Sequence, residues 1–294
     1  MNTFRIKAYA KINLGLDVLR RRPDGYHEVK MIMQTVDLYD DLEFTKLAED
    51  EIRIFTDKEE LPADQGNLIW RAAARMKELY QISEGVSVKL TKRIPIAAGM
   101  AGGSADAAAV LVGLNELYGA RLSMSELCAL GASIGADVPF ALMGGTCRVQ
   151  GLGDVLKPLP PLPECWFTVV MPDYGVSTPE AFAAYDRVGS SVHPDCAAQE
   201  AAIRAEDLDG VCAAAGNALE ECSGAKDNEA IKNALRENGA VAALMTGSGA
   251  AVFGVFRTEG EALAAAAALR PRWPEVYTAQ PVRGGAEVQP VRRR

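Results

Sequence analysis

Between Pro95 and Asp106 the chain reads Pro-Ile-Ala-Ala-Gly-Met-Ala-Gly-Gly-Ser-Ala-Asp and runs directly into the alanine-rich segment Ala105 to Tyr118. Small residues followed by strong helix formers predict a Gly-rich loop that opens a helix. Glycines let a backbone approach a ligand closely, and the first N–H groups of a helix have no partner within it. A phosphate would be at home there. The loop is not a Walker A motif, because no Gly-Lys-Ser/Thr follows, and its spacing also fails G-x-G-x-x-G. Taken alone it reads equally as a phosphate cradle and as a flexible turn with Ser104 as helix N-cap.

The flanking segments predict an α+β chain. From Phe4 to Val18 apolar and polar residues alternate, with Ile12, Leu14, Leu16 and Val18 on one strand face and Lys11, Asn13 and Asp17 on the other. On that pattern alone Lys11 is a solvated strand lysine. After the Asp24-Gly25 turn, Val29 to Leu38, Leu42 to Leu47 and Ile52 to Phe55 read as strands of a mostly antiparallel sheet. Asn67 caps a helix over Leu68 to Tyr80, and Val86, Val88 and Leu90 make one more strand. Ser123 and Glu126 form a capping box for a helix ending near Gly135. Asp137 follows among small and apolar residues, where a helix cap and a desolvated general base are both open. Thr146 to Gln150 is a strand after Gly144-Gly145.

Lys157-Pro-Leu-Pro-Pro-Leu-Pro holds four prolines in seven residues, and the domain boundary is expected there, giving residues 1–156 and 157–294. Beyond it come a strand from Trp166 to Met171, helices started by Thr178-Pro179 and by Thr258 with Glu261, a strand pair around Ser248, and a strand near Val276 to Val282. No internal repeat is visible. The terminal Val-Arg-Arg-Arg reads as a solvated tail.

Composition narrows the function. At 294 residues and a net charge of −8, the chain lacks the basic surface of a general nucleic-acid binder. Six cysteines without a C-x-x-C pair predict reduced thiols rather than a zinc or disulfide framework. With only His27 and His193 available, acid–base work falls to carboxylates or lysines. The uncharged stretch Asn238 to Phe256 is interrupted by Gly247 and Gly249, so strand-turn-strand is expected there and not a membrane span. The first residues do not spell a secretory signal, and a cytoplasmic location is expected.

Three segments together resemble the GHMP kinase superfamily: Lys11-Ile-Asn-Leu, then Pro95 to Ala105, similar to the family's P-x-x-x-G-L-G-G-G-S-S, then Thr246-Gly-Ser-Gly-Ala-Ala-Val-Phe. The likeness spans nearly the whole chain. Ala101 stands where a glycine is usual and Ala105 where a second serine is usual, so only Ser104 supplies a hydroxyl. Arg22-Pro-Asp-Gly-Tyr-His-Glu and Gly135-Ala-Asp-Val-Pro-Phe resemble the branch that acts on a cytidine-diphosphate-linked methylerythritol.

The resemblance implies a two-domain α+β GHMP kinase fold. Its N-terminal domain would be like the second domain of a small-subunit ribosomal protein, and its C-terminal domain a ferredoxin-like α/β unit. It implies ATP and Mg²⁺, and transfer of a phosphoryl group to the 2-hydroxyl of that substrate in the non-mevalonate route to isoprenoid precursors. Asp137 would take the hydroxyl proton, and Lys11 would hold Asp137 ionised and stabilise developing charge. Pro95, Ile96, Ala97, Ala98, Gly99, Met100, Ala101, Gly102, Gly103, Ser104 and Ala105 would cradle the nucleotide, with Asn67 near the adenine and Ser104 near the metal. Tyr26 and Phe182 would cover the cytosine faces, His27 its edge, and Asn13 and Thr178 would meet the substrate. Other readings stay open for several of these: hairpin packing for Tyr26 and His27, a core face for Phe182, and caps for Thr178 and Asn67. The expected partner is a small molecule, with no nucleic acid and no membrane, and the expected state a monomer or weak homodimer. Rival readings are a homoserine- or mevalonate-type kinase, or a non-catalytic binding protein on the same fold.

Overall fold

The computed structural model describes residues 3–289; the expected basic tail lies outside them. In chain order come β1 (Thr3–Arg21), β2 (His27–Leu47), β3 (Ile52–Thr56), α1 (Leu68–Leu79), β4 (Gly85–Thr91), α2 (Gly102–Tyr118), α3 (Met124–Ala132), α4 (Val138–Met143), β5 (Thr146–Gly151) and β6 (Val155–Pro158). The second half holds β7 (Trp166–Met171), α5 (Thr178–Val188), α6 (Cys196–Arg204), α7 (Leu208–Ala213), β8 (Gly216–Asn217), α8 (Asn228–Glu237), β9 (Ala242–Met245), β10 (Val252–Phe256), α9 (Glu259–Leu269), β11 (Glu275–Ala279) and β12 (Glu287–Gln289).

Two sheets result. The first has the path β12-β1-β2-β4-β3, with β5 and β6 continuing from β2 and β8 pairing in parallel with β1. The second has the order β11-β7-β10-β9 and is antiparallel throughout. The proline run leads from β6 in the first sheet to β7 in the second, yet β8 and β12 return to β1, so the sheets do not part at a single point of the chain. The apolar faces of α1 and α2 close the core over the first sheet through Ile69, Ala72, Met76, Val110 and Leu114. Ile231, Leu235, Ala262, Ala266 and Leu269 do the same over the second through α8 and α9.

Several expectations are corrected. The two strands predicted over Val29–Leu38 and Leu42–Leu47 are one, β2, because Asp40 between them is fully buried and paired. It accepts hydrogen bonds from Lys92 Nζ and from the backbone N–H groups of Arg93 and Ile94 at 2.6, 2.6 and 2.8 Å. The strand expected near Val276 to Val282 ends at Ala279 as β11; beyond it Pro281 makes only a single bridge to Val36, since proline cannot donate to a ladder. The helix after Ser123 ends at Ala132, three residues before Gly135. Thr178 is the first residue of α5, not its cap, and Ser177 precedes it. Ser104 is not a cap either, because α2 already begins at Gly102. The Asn238–Phe256 stretch does form β9, a glycine turn and β10, and no helix among the described residues is long and apolar enough to cross a membrane. All six cysteines are free.

Glu200 on α6 ties that helix to β5 and β6. Its carboxylate accepts from Arg148, Lys157 and Arg204 at 3.0, 2.9 and 3.0 Å. The Lys157 hydrogen bond, with help from the two arginines, holds its pKa down at about 2, against an ordinary 4.5. A carboxyl depressed in the folded state stabilises the fold above its unfolded pKa and loses that contribution as pH falls through the folded one. Thermal melts of wild type and Glu200→Gln should therefore differ at neutral pH and converge between pH 4.5 and about 2. A constant difference down to pH 2 would remove the clamp from the stability of the fold.

Candidate active site

The loop before α2 is laced to three parts of the chain. Lys11 N–H donates to Met100 O at 3.2 Å, Val176 N–H to Ala97 O at 3.2 Å, and Ala251 N–H to Ala98 O at 3.3 Å. Gly99 has φ +73°, and a Cβ there would stand 2.1 Å from Thr246 O, so only glycine fits against the third motif. Gly102 is constrained by packing, since a Cβ would come within 2.9 Å of Lys92 Nζ, which Asp40 and Asp106 hold in place, and 3.1 Å of Ile94. The loop is thus shaped by its contacts and not slack.

Ala101 takes the N-cap position of α2 with φ 58° and ψ 30°, a left-handed conformation. An L side chain there costs roughly 1–2 kcal/mol, while glycine at a compatible site gives back roughly 0.4–1 kcal/mol in unfolded-chain entropy. Ala101→Gly should raise stability by up to about 1 kcal/mol on this balance, read as a higher Tm. A lowered Tm would contradict the strain.

Lys11 is buried, so the solvated reading fails. Register shifts in the β1–β2 ladder at Tyr9/Lys11 and Asn13/Gly15 break the simple alternation, and the supposed outer face lies under the loop and the third motif. Its Nζ donates to Asn13 Oδ1 at 2.5 Å and to Gly99 O at 2.7 Å. Burial lowers its pKa, and the charge of Asp137 partly offsets this. Among the described residues Lys11 makes no ion pair with Asp137; the two act on each other through space. Asn13 is buried and fully engaged, its backbone N–H donating to Thr246 Oγ1 at 3.1 Å.

Asp137 stands at the N-cap position of α4, but its side chain makes no capping bond. The cap explanation fails for the carboxylate, which borders the open space instead. That space is a cleft of about 780 Å³, and Lys11, Asn13, Tyr26, His27, Asn67, Pro95 to Ser104, Asp137, Thr178 and Phe182 all line it. Ala105 does not; it is buried in α2. Asn67 caps α1, accepting from Ile69 N–H at 3.0 Å, and its amide donates to Pro62 O at 2.7 Å. Thr178 Oγ1 lies 2.8 Å from Ser248 Oγ, joining α5 to the third motif.

Among the matches to known proteins are family models for the GHMP kinases N terminal domain over residues 67–145 and the GHMP kinases C terminal over residues 200–275. A 4-diphosphocytidyl-2-C-methyl-D-erythritol kinase of Bacillus subtilis is 45% identical over 92% of this chain and 94% of its own. One of Lachnospira eligens is 43% identical over 95% and 99%. The chain belongs to the 4-diphosphocytidyl-2-C-methyl-D-erythritol kinases. A crystal structure of 4-(cytidine 5'-diphospho)-2C-methyl-D-erythritol kinase superposes with a TM-score of 0.79 at 34% identity, covering 96% of this chain and 99% of that one. A homoserine kinase from Cytophaga hutchinsonii matches as well in shape, with a TM-score of 0.80, but at 19% identity the likeness is one of fold. The two-domain GHMP kinase fold is confirmed, and membership makes the chain a phosphotransferase that uses ATP.

Four residues in or behind this family member's cleft escape the motifs. Asp186 reaches His27 from α5. Asn217 on β8 donates to Met245 O and Gly247 O at 2.9 and 2.8 Å and fixes the third-motif turn. Lys92 and Asp106 form a buried cluster with Asp40 beneath the α2 N-terminus, with Lys92 Nζ 2.6 Å from Asp40 and 2.7 Å from Asp106. Burial and Asp40 push Asp106 up to about 8 against the pull of Lys92, and its Oδ1 has no partner. Nothing in local spacing marks these four; each acts through a residue distant in the chain.

Proposed function

We propose that the chain transfers the γ-phosphoryl group of ATP to the 2-hydroxyl of 4-diphosphocytidyl-2-C-methyl-D-erythritol, in the cytoplasm, on the non-mevalonate route to isoprenoid precursors. The observation that carries the reading is the sharing of one cleft by two unlike ends: the phosphate loop with Lys11 and Asp137, and the aromatic group Tyr26, His27 and Phe182. A kinase for a bare sugar alcohol or amino acid has no use for the second end. The cleft is lined from both sides of the proline run, by the loop and Asp137 before it and by Thr178, Phe182 and Ser248 after it, which supports this reading.

In this mechanism the substrate's 2-hydroxyl oxygen bonds to the γ-phosphorus as the bond from that phosphorus to the β,γ-bridging oxygen breaks, and ADP leaves with the electron pair. Asp137 accepts the hydroxyl proton. Lys11, fixed by Asn13 and Gly99 O, places positive charge where the transferring group gathers negative charge. The free N–H groups at the start of α2 hold the phosphates. Tyr26, 65% exposed, is free to close over a base lying on Phe182. The residues fit a Mg²⁺ ion that arrives with the nucleotide: Ser104 borders the cleft and its hydroxyl bonds to no described residue, and Mg²⁺ needs few protein oxygens beside phosphate and water. When bound, the ion neutralises charge on the β- and γ-phosphates.

Coupled ADP release tests the reading, with ATP, Mg²⁺ and four acceptors: the cytidyl substrate, free methylerythritol, homoserine and mevalonate. Turnover restricted to the cytidyl compound is expected. Turnover with another acceptor in its place would overturn the substrate, and silence with all four would favour a non-catalytic binder.

A further inference from the structure

His27 opens β2, and its ring is gripped by one face of α5. Phe182, Tyr185 and Asp186 recur there at the i, i+3, i+4 spacing that puts side chains in line. Phe182 stacks on the imidazole with centroids 4.8 Å apart and planes at 27°, Tyr185 meets it edge-on at 6.5 Å, and Asp186 Oδ1 lies 2.6 Å from Nε2. The His27 side chain is 8% exposed, so ring and orientation are fixed together. The other nitrogen, Nδ1, has no hydrogen-bond partner among the described residues and is not sealed from solvent. Both His27 and Asp186 border the cleft.

An ionised carboxylate offers only lone pairs, so a 2.6 Å contact with Nε2 places a hydrogen on that nitrogen. The hydrogen bond to His27 holds Asp186 below the ordinary carboxylate range, and Arg21, 3.4 Å from Oδ2, adds to this. With the proton on Nε2, a neutral imidazole presents Nδ1 as an acceptor. Cytosine carries an amino donor on its 4-position, where uracil carries a carbonyl acceptor. An acceptor on the protein pairs with the first and meets a lone pair on the second.

We propose that Asp186 is a positioning residue that fixes His27 in the Nε2–H tautomer, and that this makes the pocket prefer a cytosine over a uracil diphosphate ligand. The inference rests on the cytidyl substrate reading above. Asp186 touches no reacting atom; it acts through the ring.

Two measurements separate the outcomes. The chain has two histidines, so His193→Gln leaves His27 alone in a ¹⁵N-histidine NMR spectrum, recorded without substrate. In its neutral form the ring should carry hydrogen on Nε2, and Asp186→Ala should convert it to a tautomer mixture. A neutral ring with hydrogen on Nδ1 would overturn the proposal. In turnover assays against matched cytidine- and uridine-diphosphate-linked acceptors, Asp186→Ala should lose about tenfold or more of the cytidine preference, with the loss falling on KM more than on kcat. Asp186→Asn, whose side-chain oxygen can still accept from Nε2, should recover most of it. Wild-type selectivity retained in Asp186→Ala would sink the inference while leaving the proposed function standing. Wild type that ignores the cytidyl compound would sink the proposed function and the selectivity with it.

Discussion

Asp137→Asn should lower kcat by about 10²- to 10⁴-fold, the range that a positioned general base contributes, while the Kd for ATP stays within about twofold. The structure separates the two effects. Asp137 makes no capping bond to α4, so the fold does not depend on its carboxylate, and in the proposed mechanism the phosphates are held by the backbone of the loop instead. Single-turnover phosphoryl transfer, with nucleotide binding measured alongside, checks both halves. If the Asp137→Asn enzyme turned over at the wild-type rate, Asp137 would leave the mechanism, and a large loss of ATP affinity would move it to binding.

Lys11→Met should cost about 10²- to 10³-fold in kcat, the usual loss when one donor aimed at developing charge is removed. Methionine keeps much of the buried stem, so the variant tests the charge more than the packing. The native lysine also predicts a pH profile. Burial lowers its pKa below the ordinary 10.5, and Asp137 limits the fall. Only the protonated form carries the charge, so wild-type kcat should decline at alkaline pH with an apparent pKa under 10.5. In Asp137→Asn the supporting negative charge is gone, and the residual activity should decline at lower pH still. An alkaline limb that ignored the Asp137 substitution would show that the two groups do not interact.

How far the sequence could be read depended on whether a feature was local. Caps and turns are decided by a few neighbouring residues, and the boxes at Ser123 with Glu126 and at Thr258 with Glu261 form as their spacing predicts. The glycine turn between β9 and β10 was legible for the same reason. The phosphate loop was visible as a loop, but its shape comes from Lys11, Val176 and Ala251, which no window around residue 99 contains. The expected strands over Val29–Leu38 and Leu42–Leu47 left Asp40 between them, and it lies inside one strand because Lys92 pairs with it from another element. Helices α6 and α8 went unread. Asp195 does cap α6, accepting from Ala197 and Ala198, yet the alanine-rich stretch that follows has little amphipathic signature. Of the site residues, those inside motifs were found, while Asp186 and Asn217 act across the fold and carried no signal.

The way β1 is completed has a consequence for biosynthesis. Its first half pairs with β12, and the Tyr9 hydroxyl donates to Glu287 at 2.6 Å across 278 residues of chain. That edge of β1 therefore stays open until β12, 278 residues further along the chain, has been made. Exposed strand edges recruit other strands, and contacts so distant in sequence close late. For this enzyme the vulnerable interval lies during translation, and the final few residues of the described chain end it by covering the edge that the first few had left bare.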